Sequence, residues 1–201
     1  MARPRADSPG PNARERLENA FWSMLSEKDY SLITVEGLSR RAEVNHNTLY
    51  KHFKTLDEYA LECAGGEVAE NLARYAVPLF CGRMVKQDIR GEAGFRSPLV
   101  MVRSIAGNGS SAHVKAMLGG AVSEWARGEG VDPASLCDRE FDEVMAVFGG
   151  VSTALASMDA GEIRKRAEGF GKSPLGKSFA DTLDRVVTAH RSGQDEQRTL
   201  K

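Results

Sequence analysis

Residues 34–58 read TVEGLSRRAEVNHNTLYKHFKTLDE, and this stretch decides the fold. Thr34 is a good N-cap for a short helix running to about Ala42, with Val35, Leu38 and Ala42 at helical spacing. Glu43-Val44 makes a turn, Asn45 caps again, and a second helix is predicted to run to Phe53. Thr55 and Glu58 form a capping box that opens a third. On the second helix Leu49 and Phe53 are four apart and face inward. Asn47, Lys51 and Lys54 then fall on the opposite side, flanked by Thr48 and Tyr50. No carboxylate lies between Val44 and Lys54, so this face can approach phosphates without repulsion. Asn can pair with adenine and Lys with guanine in a major groove, while Tyr and Thr hydroxyls suit phosphate oxygens. From periodicity alone, a plain polar surface helix fits the same residues equally well.

Outward from this stretch the signal is helical almost everywhere, and the expected fold class is all-α. Residues 13–28 place Ala13, Leu17, Ala20, Phe21, Met24 and Leu25 on one stripe, with Asp29 as a left-handed helix stop. The helix opened at Thr55 is expected to end at Pro78, giving four helices with short joints over residues 13–78. Gly82 to Gly94 reads as a loop or frayed helix. Ser97-Pro98 starts a helix that Gly107-Asn108-Gly109 stops. The next carries Val114, Met117, Leu118, Ala121, Val122 and Trp125 on one face, and Gly128 and Gly130 end it. Asp132-Pro133 starts another, reaching about Met158. A flexible Gly-rich joint spans roughly 169–176, and a last helix carries Phe179, Leu183, Val186, Val187 and His190. The polar tail from Ser192 is expected to be disordered.

Residues 17–60 resemble the DNA-binding head of the tetracycline-repressor (TetR/AcrR) family. The matching pieces are Leu17, Ala20, Lys28, Tyr30, Thr34-Val35, Leu38, Ala42, Val44 and, most specifically, Thr48-Leu49-Tyr50 followed by His52-Phe53. The resemblance implies an all-helical homodimer. A three-helix helix-turn-helix head over residues 1–54 would be joined by a long helix to a ligand-binding and dimerisation body over 55–192, with a disordered tail at 193–201. It implies a ligand-responsive transcriptional regulator, a repressor that a small-molecule inducer releases from its double-stranded operator. Carried over residue by residue, His46, Asn47 and Lys51 become candidates for base contacts. Thr34, Thr48, Tyr50, His52 and Lys54 become candidates for phosphate contacts. The Arg3-Pro4-Arg5 arm is a candidate for the minor groove or a solvated tail. In the body, Met101, His113, Met117 and Trp125 are candidates for the inducer pocket or for plain core. Val144, Phe148, Val151 and Leu155 form one stripe and Leu183, Val186 and Val187 another. Periodicity leaves these stripes open between intramolecular core and a two-fold interface, and the resemblance favours the interface. The family pattern usually has Gly where Asp29 and Glu43 stand, and often Lys where Leu56 stands. Glu43 should therefore be strained if its turn needs positive φ, and Leu56 removes one phosphate contact.

Other features constrain the alternatives. Residues 1–54 carry nine Lys/Arg against seven Asp/Glu, whereas the rest is acidic, which fits nucleic acid at the N-terminal end. No apolar run is long enough to span a membrane and no signal-peptide pattern opens the chain, so a cytoplasmic protein is expected. Cys63, Cys81 and Cys137 are far apart and suit reduced thiols. His46, His52, His113 and His190 show no metal-ligand spacing, and neither a cofactor nor an enzymatic nucleophile motif is expected. Gly171 to Ser178, GKSPLGKS, does match the P-loop pattern of nucleotide-binding enzymes, but a charged helical segment precedes it where a strand is required. A helical interaction module that has lost DNA binding is the third reading. The acidic residues Asp138, Glu140, Asp142 and Glu143 are expected on a solvated face, and Trp22 in packing between head and body.

Overall fold

A computed structural model describes residues 12–83, 97–159 and 161–199, and every regular element among them is helical. The arm at residues 3–5 and most of the expected loop after Gly82 lie outside the described residues. Helix α1 (Ala13–Glu27) opens with a capping box: Glu15 N–H donates to Asn12 Oδ1 and Asn12 N–H to Glu15 Oε2, both at 3.0 Å. Leu17, Ala20, Phe21, Met24 and Leu25 are all buried, as their spacing predicts, and Trp22 joins them. Asp29 does not take the expected left-handed stop. Lys28 (φ −156°) and Asp29 (φ −56°) are extended, and the chain passes into a 3₁₀ turn at Tyr30–Leu32. Thr34 Oγ1 accepts Gly37 N–H at 3.1 Å and starts α2 (Val35–Arg41).

Helix α3 (Asn47–Tyr50) is shorter than predicted. Asn45 Oδ1 accepts the Asn47 N–H at 2.9 Å, so it makes an Asx turn into the helix. The N–H groups of His52 and Phe53 both converge on the Leu49 carbonyl, which tightens the last turn and ends it. The long helix expected from Thr55 to Pro78 is in fact segmented. Helix α4 (Leu56–Gly65) bends at Gly66 into α5 (Glu67–Asn71), a π-helical turn follows at Leu72–Ala76, and α6 (Val77–Phe80) contains Pro78. Pro78 does not stop the helix because the winding has already widened: the Val77 N–H reaches back five residues to Leu72 O. That wide turn relieves the clash of the pyrrolidine ring with the preceding turn. Gly82, at φ +72°, ends the run.

The body is built from α7 (Pro98–Asn108), α8 (Ser111–Gly128), α9 (Asp138–Ala156), α10 (Ile163–Gly171) and α11 (Pro174–Thr199). Helix α8 is central, packed by α4, α5 and α9, while α7 bridges α9 to α1 of the head. Asp132-Pro133 opens only a 3₁₀ turn, because Leu136 and Cys137 are extended, and α9 starts five residues later than expected. The acidic face of α9 is not simply solvated. Glu140 accepts the Cys137 N–H and faces His190 Nε2 at 3.2 Å, and Glu143 pairs with Arg185 at 2.9 Å, tying α9 to α11. The backbone of α11 is helical through Thr199, where a disordered tail from 193 was expected. Gln, Glu and Arg are good helix formers, and the tail sequence QDEQR is rich in them.

The two apolar stripes assigned to a two-fold interface lie inside the single chain. Val144, Phe148, Val151, Leu155, Leu183, Val186 and Val187 are no more than 6% exposed. The Phe148 ring packs edge-on to Trp125 at 6.3 Å. Their burial contributes to this chain's own core. The joint before α11 is tight rather than flexible. A Cβ on Gly171 would stand 2.5 Å from Gly82 N, and one on Gly176 would stand 2.4 Å from Phe170 O. The GKSPLGKS motif is therefore a helix-to-helix contact. It follows a helix, its last five residues belong to α11, and Ser173 Oγ already accepts the Gly176 N–H at 3.1 Å. We expect Gly176→Ala to lower unfolding free energy by about 1–3 kcal/mol through overpacking. Gly149→Ala, whose Cβ meets nothing within 4 Å, should be neutral or stabilising by up to about 1 kcal/mol. Urea midpoints of the two variants check this.

Candidate nucleic-acid interface

The reading face is held by an aromatic cluster. Phe21, fully buried on α1, meets Trp22 at 5.2 Å and Tyr59 of α4 at 5.4 Å. Phe53, just past α3, packs edge-on to the same Tyr59 ring at 5.0 Å. Leu49 is 2% exposed beneath α3 and Leu38 is fully buried beneath α2. With the apolar side anchored in this way, His46, Asn47, Tyr50, Lys51, His52 and Lys54 are exposed and Thr48 is half-buried. These predicted contact residues are thus open to solvent along 46–54, a stretch that itself holds no carboxylate. Thr34 is exposed at the start of α2, and its hydroxyl hydrogen is not used by the cap, so it can donate outward.

The arginines of α2 do not add to the charge of this face in the same way. Arg41 donates to Glu27 Oε2 and to Ser23, each at 2.8 Å, and so fastens α2 to α1. The Arg41 guanidinium holds the Glu27 carboxyl below its usual range. Arg40 pairs with Glu36 along α2 at 2.8 Å. No ion pair of Lys51 or Lys54 forms among the described residues, which leaves both ammonium groups available to an anionic partner. Leu56, in place of a cation, is half-buried against the core. The Thr55 box also differs from expectation, since Glu58 accepts from the backbone of Lys54 at 2.7 Å rather than from Thr55 itself.

The turn between α2 and α3 carries the strain expected of it. Glu43 has φ +53°, the one positive φ outside glycine among the described residues. Sequence reasoning missed the residue that steadies it: Arg16 on α1 donates from Nη1 to the Glu43 carbonyl at 3.3 Å. Nothing in helical periodicity marks Arg16, because the contact joins residues 27 apart in sequence.

Of the four residues nominated for a body pocket, only Trp125 borders the best-formed cavity of the body. Met101 and Met117 are fully buried in the core, and His113 sits beside the head. Trp125 does line a cavity of about 240 Å³, with Ala73, Val77, Pro78, Cys81 and Leu183 as its apolar wall. Arg74, Arg83, Glu124 and Glu129 stand at its rim. Burial pushes the Cys81 thiol up to about 11, so it is a protonated wall group near neutral pH. Pro78 supplies no N–H to the carbonyls of Ala73 and Arg74, five and four residues back, and both residues border the cavity. A proline inside a helical pattern was the available signal for this site.

Neither a protein-family model nor a curated protein matches the chain. Among solved structures it is similar to the TetR family repressor AlkX from Dietzia sp. strain DQ12-45-1b, implicated in biodegradation of n-alkanes. Identity is 16%, the match covers 92% of this chain and 100% of that one, and the TM-score is 0.46.

The turn yields its own test. A left-handed non-glycine residue costs roughly 1–2 kcal/mol, and glycine returns part of that as backbone entropy. Glu43→Gly should therefore raise stability by about 0.5–1 kcal/mol. Thermal and urea unfolding measure it, and a loss of stability would show that Glu43 is not strained.

Proposed function

We propose that the protein is a transcriptional regulator that reads duplex DNA with α3, a repressor released from its operator by a small-molecule inducer. One observation carries the reading: a helix-turn-helix whose second helix is anchored by Leu49 and Phe53 and exposes only amide, hydroxyl, imidazole and ammonium groups. His46, Asn47 and Lys51 would face base edges. Thr34, Thr48, Tyr50, His52 and Lys54 would hold phosphates and fix the register. Residues 1–54 would act as the head and 55–192 as the body.

Two copies would act together, since a dimer doubles the phosphate contacts and reads two half-sites. The seven buried residues of α9 and α11 do not supply that contact. The outward faces of the same helices do carry apolar groups, with Phe141 39% and Leu175 52% exposed. The inducer would enter the cavity beside Trp125 and shift the balance between head arrangements by its differential affinity for them. The protein would act by binding rather than by catalysis, in the cytoplasm where its DNA lies. No helix among the described residues is long and apolar enough to cross a membrane.

Selection of duplexes from random DNA, followed by gel shifts on the enriched sequence, tests the reading. Asn47→Ala should change the preferred base at one position, losing about 1–3 kcal/mol of discrimination there. Tyr50→Phe should weaken all sequences alike, and affinity should fall steeply with salt. No enriched sequence and a flat salt response would favour the interaction-module reading instead.

The inducer claim has a separate test. Ala73→Phe, which fills the cavity, should abolish release by any compound that dissociates the wild-type complex and leave DNA affinity within about twofold, since Ala73 lies in the body. Release that persists in Ala73→Phe places the inducer elsewhere.

A further inference from the structure

The α7–α8 corner grips the head through contacts that the reading face does not use. Asn108, the last residue of α7, donates from Nδ2 to the Leu25 carbonyl in α1 at 2.6 Å. Ser110 caps α8, and its N–H donates to His113 Nδ1 at 3.0 Å while its Oγ accepts the His113 N–H at 3.4 Å. The His113 ring is 2% exposed and stands nearly perpendicular to Tyr30 of the head, centroids 4.3 Å apart. The Tyr30 hydroxyl donates in turn to Asp57 Oδ1 in the first turn of α4, at 2.5 Å. The imidazole thus meets the Ser110 cap of α8 and the Tyr30 ring of the 3₁₀ turn, and Tyr30 carries the connection on to the start of α4.

We propose that His113 is a proton-sensitive latch between head and body, closed when the ring is neutral and opened by its protonation. The cap requires a bare Nδ1, because that nitrogen accepts the Ser110 N–H. A proton placed there takes the acceptor away from the Ser110 N–H and so removes one half of the capping box, leaving Ser110 Oγ, 3.0 Å from Nδ1, as the acceptor within reach of the new N–H. It also puts a positive charge at the positive end of an 18-residue helix, in a site shielded from water. Tyr30 from the 3₁₀ turn and Asp57 from α4 are the titratable groups that face the ring, while Asn108 and Ser110 on its own corner are neutral. Asp57 favours the charged ring, but burial outweighs it and holds His113 below the usual value of 6.5. The sign follows. With the folded value lowered, the stabilisation is whole above the unfolded value and is lost as pH falls through the folded one.

The regulatory meaning of the latch rests on the DNA-binding reading, but its test does not need DNA. Hydrogen exchange is measured on the full chain at pH 7.5 and 5.5, each rate referred to its intrinsic value at that pH. In the wild type, protection across residues 25–33 and 108–114 should fall severalfold at pH 5.5, to a limit of about tenfold for one imidazole released at its usual value of 6.5, with α9 unchanged. His113→Gln keeps a capping-box side chain at the third helical position and removes the titration, so its protection should not change with pH. Equal losses in both proteins, no loss in either, or loss in every helix would overturn the latch. Should the variant fail to fold, proton NMR of the wild type decides. The His113 ring should titrate below 6.5, and the amides of residues 25–33 should shift with the same midpoint. A midpoint at or above 6.5, or head amides that titrate separately, would refute it. If neither protein binds DNA at pH 7.5, the regulatory reading fails while the exchange result stands.

Discussion

Everything the head presents depends on the packing of Tyr59 between Phe21 and Phe53. Tyr59 is in the second turn of α4, the element that carries the chain from head to body. Its ring meets α1 on one side and the end of α3 on the other. A four-residue helix such as α3 has no stability of its own, since nucleation of an isolated helical turn is unfavourable. Its orientation is set by Leu49 and Phe53 beneath it. The aromatic contacts contribute about 0.5–1.5 kcal/mol each beyond the area they bury. They matter more for geometry, because they tie the reading face to the same helix on which the body is built.

The turn before α3 shows a different kind of dependence. Glu43 takes a left-handed conformation because the chain must reverse sharply between α2 and α3, and Arg16 supports its carbonyl from α1. The strain is local and tolerable because α1, α2 and α3 are each fixed independently, α2 by the bonds from Arg41 to Glu27 and Ser23. Charge in the head is thereby divided by task. Arg16 and Arg41 tie α1 to the elements that follow it, Arg40 pairs only along α2, and Lys51 and Lys54 stay exposed.

The sequence made the head legible because local rules dominate there. The cap at Thr34, the apolar stripe from Leu17 to Leu25 and the inward pair Leu49/Phe53 appear as read, and Thr55 caps α4 without the reciprocal half of its box. The strain at Glu43 was foreseeable only through the resemblance, whose pattern usually has glycine at that position. The body was less legible because its decisive contacts are non-local. Periodicity showed that Val144, Phe148, Leu183 and Val186 form stripes, but it cannot say whether a stripe meets its own chain or another. The resemblance made His113 a candidate for a pocket wall or for plain core, but its position at the helix start makes it a cap and a neighbour of Tyr30. Pro78 misled in the opposite direction. The usual rule that proline ends a helix assumes an α ladder, and the π turn at Leu72–Ala76 removes that assumption.

The same π turn and the His113 corner lie at opposite ends of α8, and this suggests how the body's two unusual features belong together. From His113 to Trp125 is twelve residues, or about 18 Å along the helix at 1.5 Å per residue. One end reaches the cavity through Glu124, Trp125 and Gly128, and the other carries the Ser110 cap against Tyr30. A packed helix moves as a rod, so a displacement at Trp125 reaches the cap with little loss. On the proposal above, the cap is the element that would switch, bonded to a neutral His113 or broken by a charged one, and a two-state element is what coupling between distant sites requires. The wall opposite Trp125 is the stretch where Pro78 interrupts the regular ladder.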